Sequence, residues 1–295
     1  MARKTKFQGA KRRINAFFKD HKNKVFSRGD IEEVLYFSRE KWKLPISFTT
    51  SKFIDALVKE NILEEYYVLF DDDKYTKWCI PDTPVLIRVS KVRKNQYFSH
   101  YSAVVAHGLT QQLPKSYYIN QQLTPKKQID RSLTQNAIDQ AFSRPFRETS
   151  RIGGYLENTS YGRFHYLQSK FSEDAGVIKM PLNGVEVNVT NLERTLLDIT
   201  VSPENAGGVF QVLEAYSKAA SQVSINKLMA YLKKLDYIYP HHQRIGFYME
   251  RSGQYTKAQL SRVQKLNREF KFYLTHNMKE KEYSDIWKIY HPKGL

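Results

Sequence analysis

His241, His242 and Arg244 fall within four residues, a grouping that would supply an acid, a base and a phosphate clamp for phosphodiester chemistry. Asp71, Asp72 and Asp73 offer the oxygen ligands that magnesium takes. Neither grouping makes a constellation. Adjacent histidines on regular structure project in different directions, and Asp is favoured at turns because its side chain bonds nearby backbone. The sequence has no Gly-Lys-Ser/Thr phosphate loop, no Gly-x-Ser-x-Gly elbow and no nucleotidyltransferase-type Gly-Ser followed by paired carboxylates. Gly153-Gly154 alone is too short to specify one. A lone Cys79 excludes an internal disulfide, and no Cys/His pairs stand at zinc-site spacing. The expectation is a chain without catalytic residues, metal or cofactor.

The stronger chemical signal is charge. The 295 residues carry 47 Lys/Arg against 30 Asp/Glu, a formal +17, and this excess points to a polyanion. It is concentrated at the front, where residues 1–62 hold 15 basic and 7 acidic side chains. Arg12, Arg13, Arg28, Lys41 and Lys43 are assigned to phosphate contact, which sets affinity and register without reading sequence. Thr50, Ser51 and Lys52 are assigned to base edges, and Lys74 and Lys77 to the backbone beside a wing.

Those assignments require elements that present them. Ile14, Phe17, Phe18 and His21 repeat at helical spacing on a helix starting near Lys11. Ser27 with Asp30 approximates a capping pair for a second helix running toward Trp42, which Leu44-Pro45 ends. Thr49 or Thr50 caps a third, whose apolar face is Phe53, Ile54, Leu57 and Val58 and whose outer face carries Ser51, Lys52, Asp55 and Lys59. Tyr66–Phe70 and Tyr75–Ile80, joined by the triple Asp, read as a β-hairpin. Three helices and a terminal hairpin predict a winged helix-turn-helix over 1–82, with the third helix in the major groove of duplex DNA.

A second unit follows the Pro81–Pro84 linker. Val85–Val89 reads as a strand, and Ser99 as the cap of a helix closed by Gly108. Tyr117–Ile119 reads as a strand and Thr134–Phe142 as a helix. Phe164–Leu167, Val177–Met180 and Val185–Val189 make a sheet. Thr190 with Glu193 matches a capping box, and helices are expected around Leu196, Leu213, Leu228 and over Thr256–Asn277. Strands followed by helices predict an α+β class: a winged helix-turn-helix, then a mixed sheet-plus-helices domain over 83–250, then a basic helical extension over 251–295. No apolar run is long enough to span a bilayer and no signal core follows the basic start, so a cytoplasmic protein is expected.

Four blocks carry a resemblance. The N-terminal segment, YFSHYSAVVAHGLTQQLP at 97–114, VEVNVTNLERTLLDIT at 185–200 and HHQRIGFYMERSG at 241–253 resemble the AbiEi family of antitoxins from about residue 10 to about residue 253. The most specific elements are Ser102, Ala103, Gly108 and Leu109, the run Glu193 to Asp198, and Arg244, Ile245 and Gly246. The resemblance implies a type IV toxin–antitoxin pair in phage abortive infection. The winged domain would bind inverted repeats in its own promoter and repress it, and the larger domain would counter an AbiEii-like nucleotidyltransferase toxin without a stable complex being required. Arg194, Asp198 and Arg244 are its candidate antitoxin surface. Plain structural roles stand beside this: Glu193 as a cap, Leu196 and Leu197 as core, and Arg194 with Asp198 as an (i, i+4) pair. A ligand-responsive winged-helix transcription factor and a DNA nuclease using His241 are the alternative functions.

Overall fold

The computed structural model describes residues 5–70, 73–121, 132–147, 151–155, 163–168 and 176–295. The class is α+β, and the chain divides into two compact units: Met1–Lys94 with Ile152–Ser160, and Asn95–Arg151 with Tyr161–Leu295.

The first unit runs α1 (Lys6–Asp20), β1 (Val25–Phe26), α2 (Arg28–Ser38), α3 (Thr50–Lys59), β2 (Glu64–Phe70), β3 (Asp73–Cys79) and α4 (Val85–Val89). Each long helix has a side-chain cap. Thr5 accepts from the Gln8 amide and Thr49 from the Lys52 amide, and Ser27 with Asp30 forms the capping box expected of them. Helix α1 starts at Lys6, five residues before the expected Lys11, because Phe7 and Ala10 extend its buried stripe. After α2, Lys43 adopts a left-handed conformation (φ 53°). The Leu44 amide returns to the Arg39 carbonyl and the Lys43 amide to Glu40, a Schellman closure formed without glycine. Ile14, Phe18, Phe26, Ile31, Leu35, Trp42, Phe53 and Leu57 then meet in one core. Fully burying each such side chain stabilises the fold by roughly 1.5–3 kcal/mol.

The hairpin is not a free one. Strand β3 pairs with β1 on one side and β2 on the other, and β2 takes a further antiparallel strand, β6 in chain order (Arg151–Tyr155), with Phe70 opposite Gly153 and Val68 opposite Tyr155. A strand far along the chain thus covers what would be an open sheet edge, which blunts its tendency to pair with other chains. The unit therefore does not end at residue 82; it extends to Lys94 and includes Ile152–Ser160.

Val85–Val89 is a helix, α4, and not the expected strand. Pro84 at its N-cap has φ −56°, and the Arg88 and Ile87 amides both return to the Pro84 carbonyl. The turn buries Leu86 and Val89 and swings Arg88 back onto the Thr83 carbonyl (2.7 Å) and Glu64 (3.0 Å). The β-branched residues signalled a strand, and tertiary packing overrode it.

In the second unit, β4 (Gln96–Phe98), β5 (Ser116–Gln121), β7 (Arg163–Gln168), β8 (Val177–Leu182) and β9 (Val185–Thr190) order as β7-β5-β4-β9-β8. The pairs β8–β9 and β4–β5 are antiparallel, whereas β5–β7 and β4–β9 are parallel. Helices α5 (His100–Ala106), α6 (Gln135–Ser143), α7 (Leu192–Val201), α8 (Val209–Ala219), α9 (Ile225–Leu235), α10 (His241–Ser252) and α11 (Lys257–Gln264) supply most of its core. The expected helix over Thr256–Asn277 stops at Gln264. The chain then forms β10 (Phe272–Tyr273), β11 (Lys281–Ser284) and β12 (Ile289–Pro292), a three-stranded sheet of order β10-β12-β11. The segment from 251 onward is therefore no helical extension: Phe272, Leu274, Trp287, Ile289 and Leu295 lie in the unit's core. Phe270 and Leu274 fit a helical period by spacing alone, but the alternation around Tyr273 won. Among the described residues no helix is long and apolar enough to cross a membrane.

Candidate nucleic-acid interface and the buried motif residues

Helix α3 presents its N-terminal turn outward. Ser51 and Lys52 are exposed and Thr50 half-buried, while Phe53, Ile54 and Leu57 anchor the opposite face; Val58 is more exposed than its place on that face implied. The Arg28 guanidinium donates to Ser51 Oγ at 2.9 Å, so two residues expected at the DNA meet at the α2–α3 junction. Arg13 donates to the Lys41 carbonyl (3.1 Å). Arg13, Lys22 and Lys41 line a cavity of about 530 Å³ together with Phe17, Asp20, His21 and Trp42. Lys22 was not singled out in the sequence, since nothing in its spacing marks it. Arg12, Arg28, Lys41 and Lys43 are exposed.

The two hairpin lysines expected to meet phosphate lie in different surroundings. Lys74 places its ammonium 4.0 Å over the Tyr67 ring, a cation–π contact across the hairpin. Lys77 is half-buried; burial pushes its pKa down, Asp30 opposes that and Lys94 reinforces it. Asp71 and Asp72 lie outside the described residues.

The motif residues of the second unit are almost wholly interior, and an antitoxin surface at Arg194, Asp198 and Arg244 is not what the fold provides. Arg194 and Asp198 are an (i, i+4) pair on α7 at 2.7 Å with side chains 2% and 4% exposed. Burial opposes the Arg194 charge, but Asp198 together with Tyr97 and Tyr237 holds its pKa above the ordinary arginine value. The N-cap of α7 is Asn191, which accepts from the Arg194 amide. Thr190 is displaced from that role because its hydroxyl is 2.8 Å from that of Thr195. Glu193 does not close a capping box either. It accepts from the Ser224 amide (3.1 Å) and pairs with Lys227 (2.8 Å), fastening α7 to the start of α9.

Arg244, 1% exposed, donates to the carbonyls of Tyr273, Thr200 and Val201 and stacks on Phe272 and Phe142. Burial lowers its pKa to about 10, so it remains charged at neutral pH. One guanidinium thus ties α7, α6 and β10 together. Ser99 precedes α5 without capping it; its hydroxyl is 2.9 Å from His100 Nδ1 instead. Gly108 ends that helix at φ 66° as expected.

His241 and His242 diverge. His241 is 3% exposed among Tyr237, Tyr239 and Phe272, whereas His242 Nε2 lies 2.8 Å from the Asn267 carbonyl. Both line a cavity of about 300 Å³, but Arg244 turns into the core and does not line it. Among the described residues, no group of three His, Cys, Asp or Glu side chains is placed to hold a metal ion.

Burial pushes the imidazole pKa below the ordinary 6.5 at His100, His107, His241 and His242, so the fold holds these rings neutral. The unfolded chain takes up protons near pH 6.5 that the folded chain refuses. Stability is therefore complete above that pH and declines as pH falls through the depressed folded values. The melting temperature is expected to drop between about pH 7 and pH 5, and less so in His241→Gln. A flat profile in the parent protein contradicts neutral burial.

No family model and no curated protein matches this chain. Among solved structures, the Rv2827c protein of Mycobacterium tuberculosis is similar, with a TM-score of 0.56, 13% identity, and 96% of this chain covering 90% of that one. At that identity the likeness establishes a shared fold.

Proposed function

We propose that the chain is an autorepressing antitoxin: its first unit is a winged helix-turn-helix that binds inverted repeats in its own promoter, and its second unit counters a nucleotidyltransferase toxin. The observation that carries the DNA-binding half is the α2–α3 junction, where Ser51 and Lys52 stand exposed at the start of an amphipathic helix and Arg28 is hydrogen-bonded to Ser51. A helix of this length fits the major groove, and side chains at its N-terminus reach base edges. The flanking cations Arg12, Arg13, Lys41 and Lys43 supply phosphate contacts, and the net charge of +17 favours such a partner. The antitoxin half is supported by the resemblance of the four sequence blocks. Because Arg194, Asp198 and Arg244 are interior, the surface that meets the toxin's action is assigned to the exposed parts of the second unit.

Operator affinity is expected to fall steeply with salt. Ser51→Ala and Lys52→Ala should each lower the ratio of operator to random-DNA binding, by up to about 1–3 kcal/mol where a base contact is lost, whereas Arg12→Ala weakens both alike. The full chain carrying Ser51→Ala and Lys52→Ala should derepress its promoter yet still restore growth when the neighbouring gene is induced. Equal losses on operator and random DNA for all three variants refute the reading helix. Failure of the intact chain to restore growth refutes the antitoxin half.

A further inference from the structure

The last 25 residues repeat one short pattern: Lys271-Phe-Tyr273, Lys281-Glu-Tyr283 and Lys288-Ile-Tyr290. Each tripeptide falls on, or immediately enters, a different strand of the small sheet. In the ladder Tyr273 pairs with Tyr290, and Tyr290 with Tyr283, so the tyrosines form one row across all three strands. Their neighbours Phe272, Ile289 and His291 are buried on the opposite face, as period-two alternation requires. Ring centroids are 5.0 Å apart for Tyr273–Tyr290 and 4.8 Å for Tyr283–Tyr290. Exposed Lys281 holds its ammonium 4.7 Å from the Tyr290 ring and 5.4 Å from Tyr273, and exposed Lys271 lies 5.9 Å from Tyr283. Tyr273 is anchored from behind by its bond to Asp139 (2.9 Å) and its stack on Phe142.

We propose that this face binds single-stranded nucleic acid. A sheet bearing adjacent aromatic rings with lysines around them is what unpaired bases need: a stacking surface for each π-face and cations for the backbone alongside. Duplex DNA keeps its bases stacked inward and cannot use the row. Bases stack on the tyrosine row, and Lys281 leaves the Tyr290 ring for a phosphate. The residues concerned belong to the second unit, so this activity is separate from groove reading by α3.

The test uses the full chain and fluorescence anisotropy with labelled pyrimidine strands of about 12 nucleotides, one DNA and one RNA, and an abasic strand of equal charge. The expected result is binding of at least one base-bearing strand, weakened about tenfold or more when the bases are removed. Binding of both strands assigns the site to bases irrespective of sugar, and binding of one names its source. Lys281→Ala with Tyr283→Leu should weaken binding about tenfold at unchanged melting temperature, Tyr283→Phe should preserve it, and Ser51→Ala with Lys52→Ala should leave it intact. Should the double variant prove misfolded, Lys281→Ala and Tyr283→Phe alone decide, since loss in the first and retention in the second are both required. The proposal is overturned if neither strand binds, if the abasic strand or polyglutamate competes equally well (the behaviour of a site for an acidic protein), or if binding follows Ser51 and Lys52 instead.

Discussion

Asp198→Ala is expected to destabilise the second unit by about 3–5 kcal/mol, the effect of leaving a buried charge without its partner. Asp198 is 3% exposed, its Oδ1 accepts from Arg194 Nε at 2.7 Å, and Arg194 itself is 1% exposed. Removing the carboxylate takes away the anion bonded to a guanidinium that is almost wholly buried, and Tyr97 and Tyr237, which also favour its charge, are not anions. Arg194→Met with Asp198→Leu removes both charges and fills similar volume. That double variant should recover much of the loss, because ion pairs of this kind are often close to neutral against an apolar substitute. Urea unfolding of the single and double variants measures it. An Asp198→Ala protein as stable as the parent, but unable to counter a toxin, would restore the surface role that the burial of this pair denies.

The same pair shows what was legible in the sequence and what was not. Its (i, i+4) spacing specified the contact, since residues four apart share a helix face. Which face that was depended on α5, α8, α9 and α10 packing around α7, and no local pattern reports partners so distant in sequence. The front unit was more legible because its signals are local: Ser27–Asp30, Thr49 and the Phe53–Leu57 stripe each act within a few residues. Pairing of β2 with β6 joins Val68 to Tyr155 across 87 positions and left no trace beyond two glycines. In the tail, Lys-x-Tyr three times over was written plainly, but it has the period of a strand within a stretch whose leucines and phenylalanine matched a helix.

Gly246→Ala is expected to be as damaging, for a reason that composition hides. Gly246 lies in the middle of α10, where alanine ordinarily raises helix stability by up to about 1 kcal/mol. Here a Cβ would stand 2.0 Å from Trp287 Cζ3 and 2.3 Å from Cη2, closer than any real contact. The indole has nowhere to retreat. It is 0% exposed, its Nε1–H donates to Glu250 at 2.9 Å, Gln243 donates to its carbonyl at 2.7 Å, and Arg268 lies over the ring. Overpacking of this severity exceeds the usual 1–3 kcal/mol, and loss of cooperative unfolding in the second unit is the expected result. Trp287→Ala alone should cost about 3–5 kcal/mol by leaving a cavity. Combined with Gly246→Ala, however, it opens the space that the new methyl requires, so the two changes should be strongly non-additive, the pair being more stable than the sum of its parts. Additive losses across that cycle would mean that the glycine serves backbone freedom instead, and the close seating of α10 on the indole would no longer explain the Arg-Ile-Gly run.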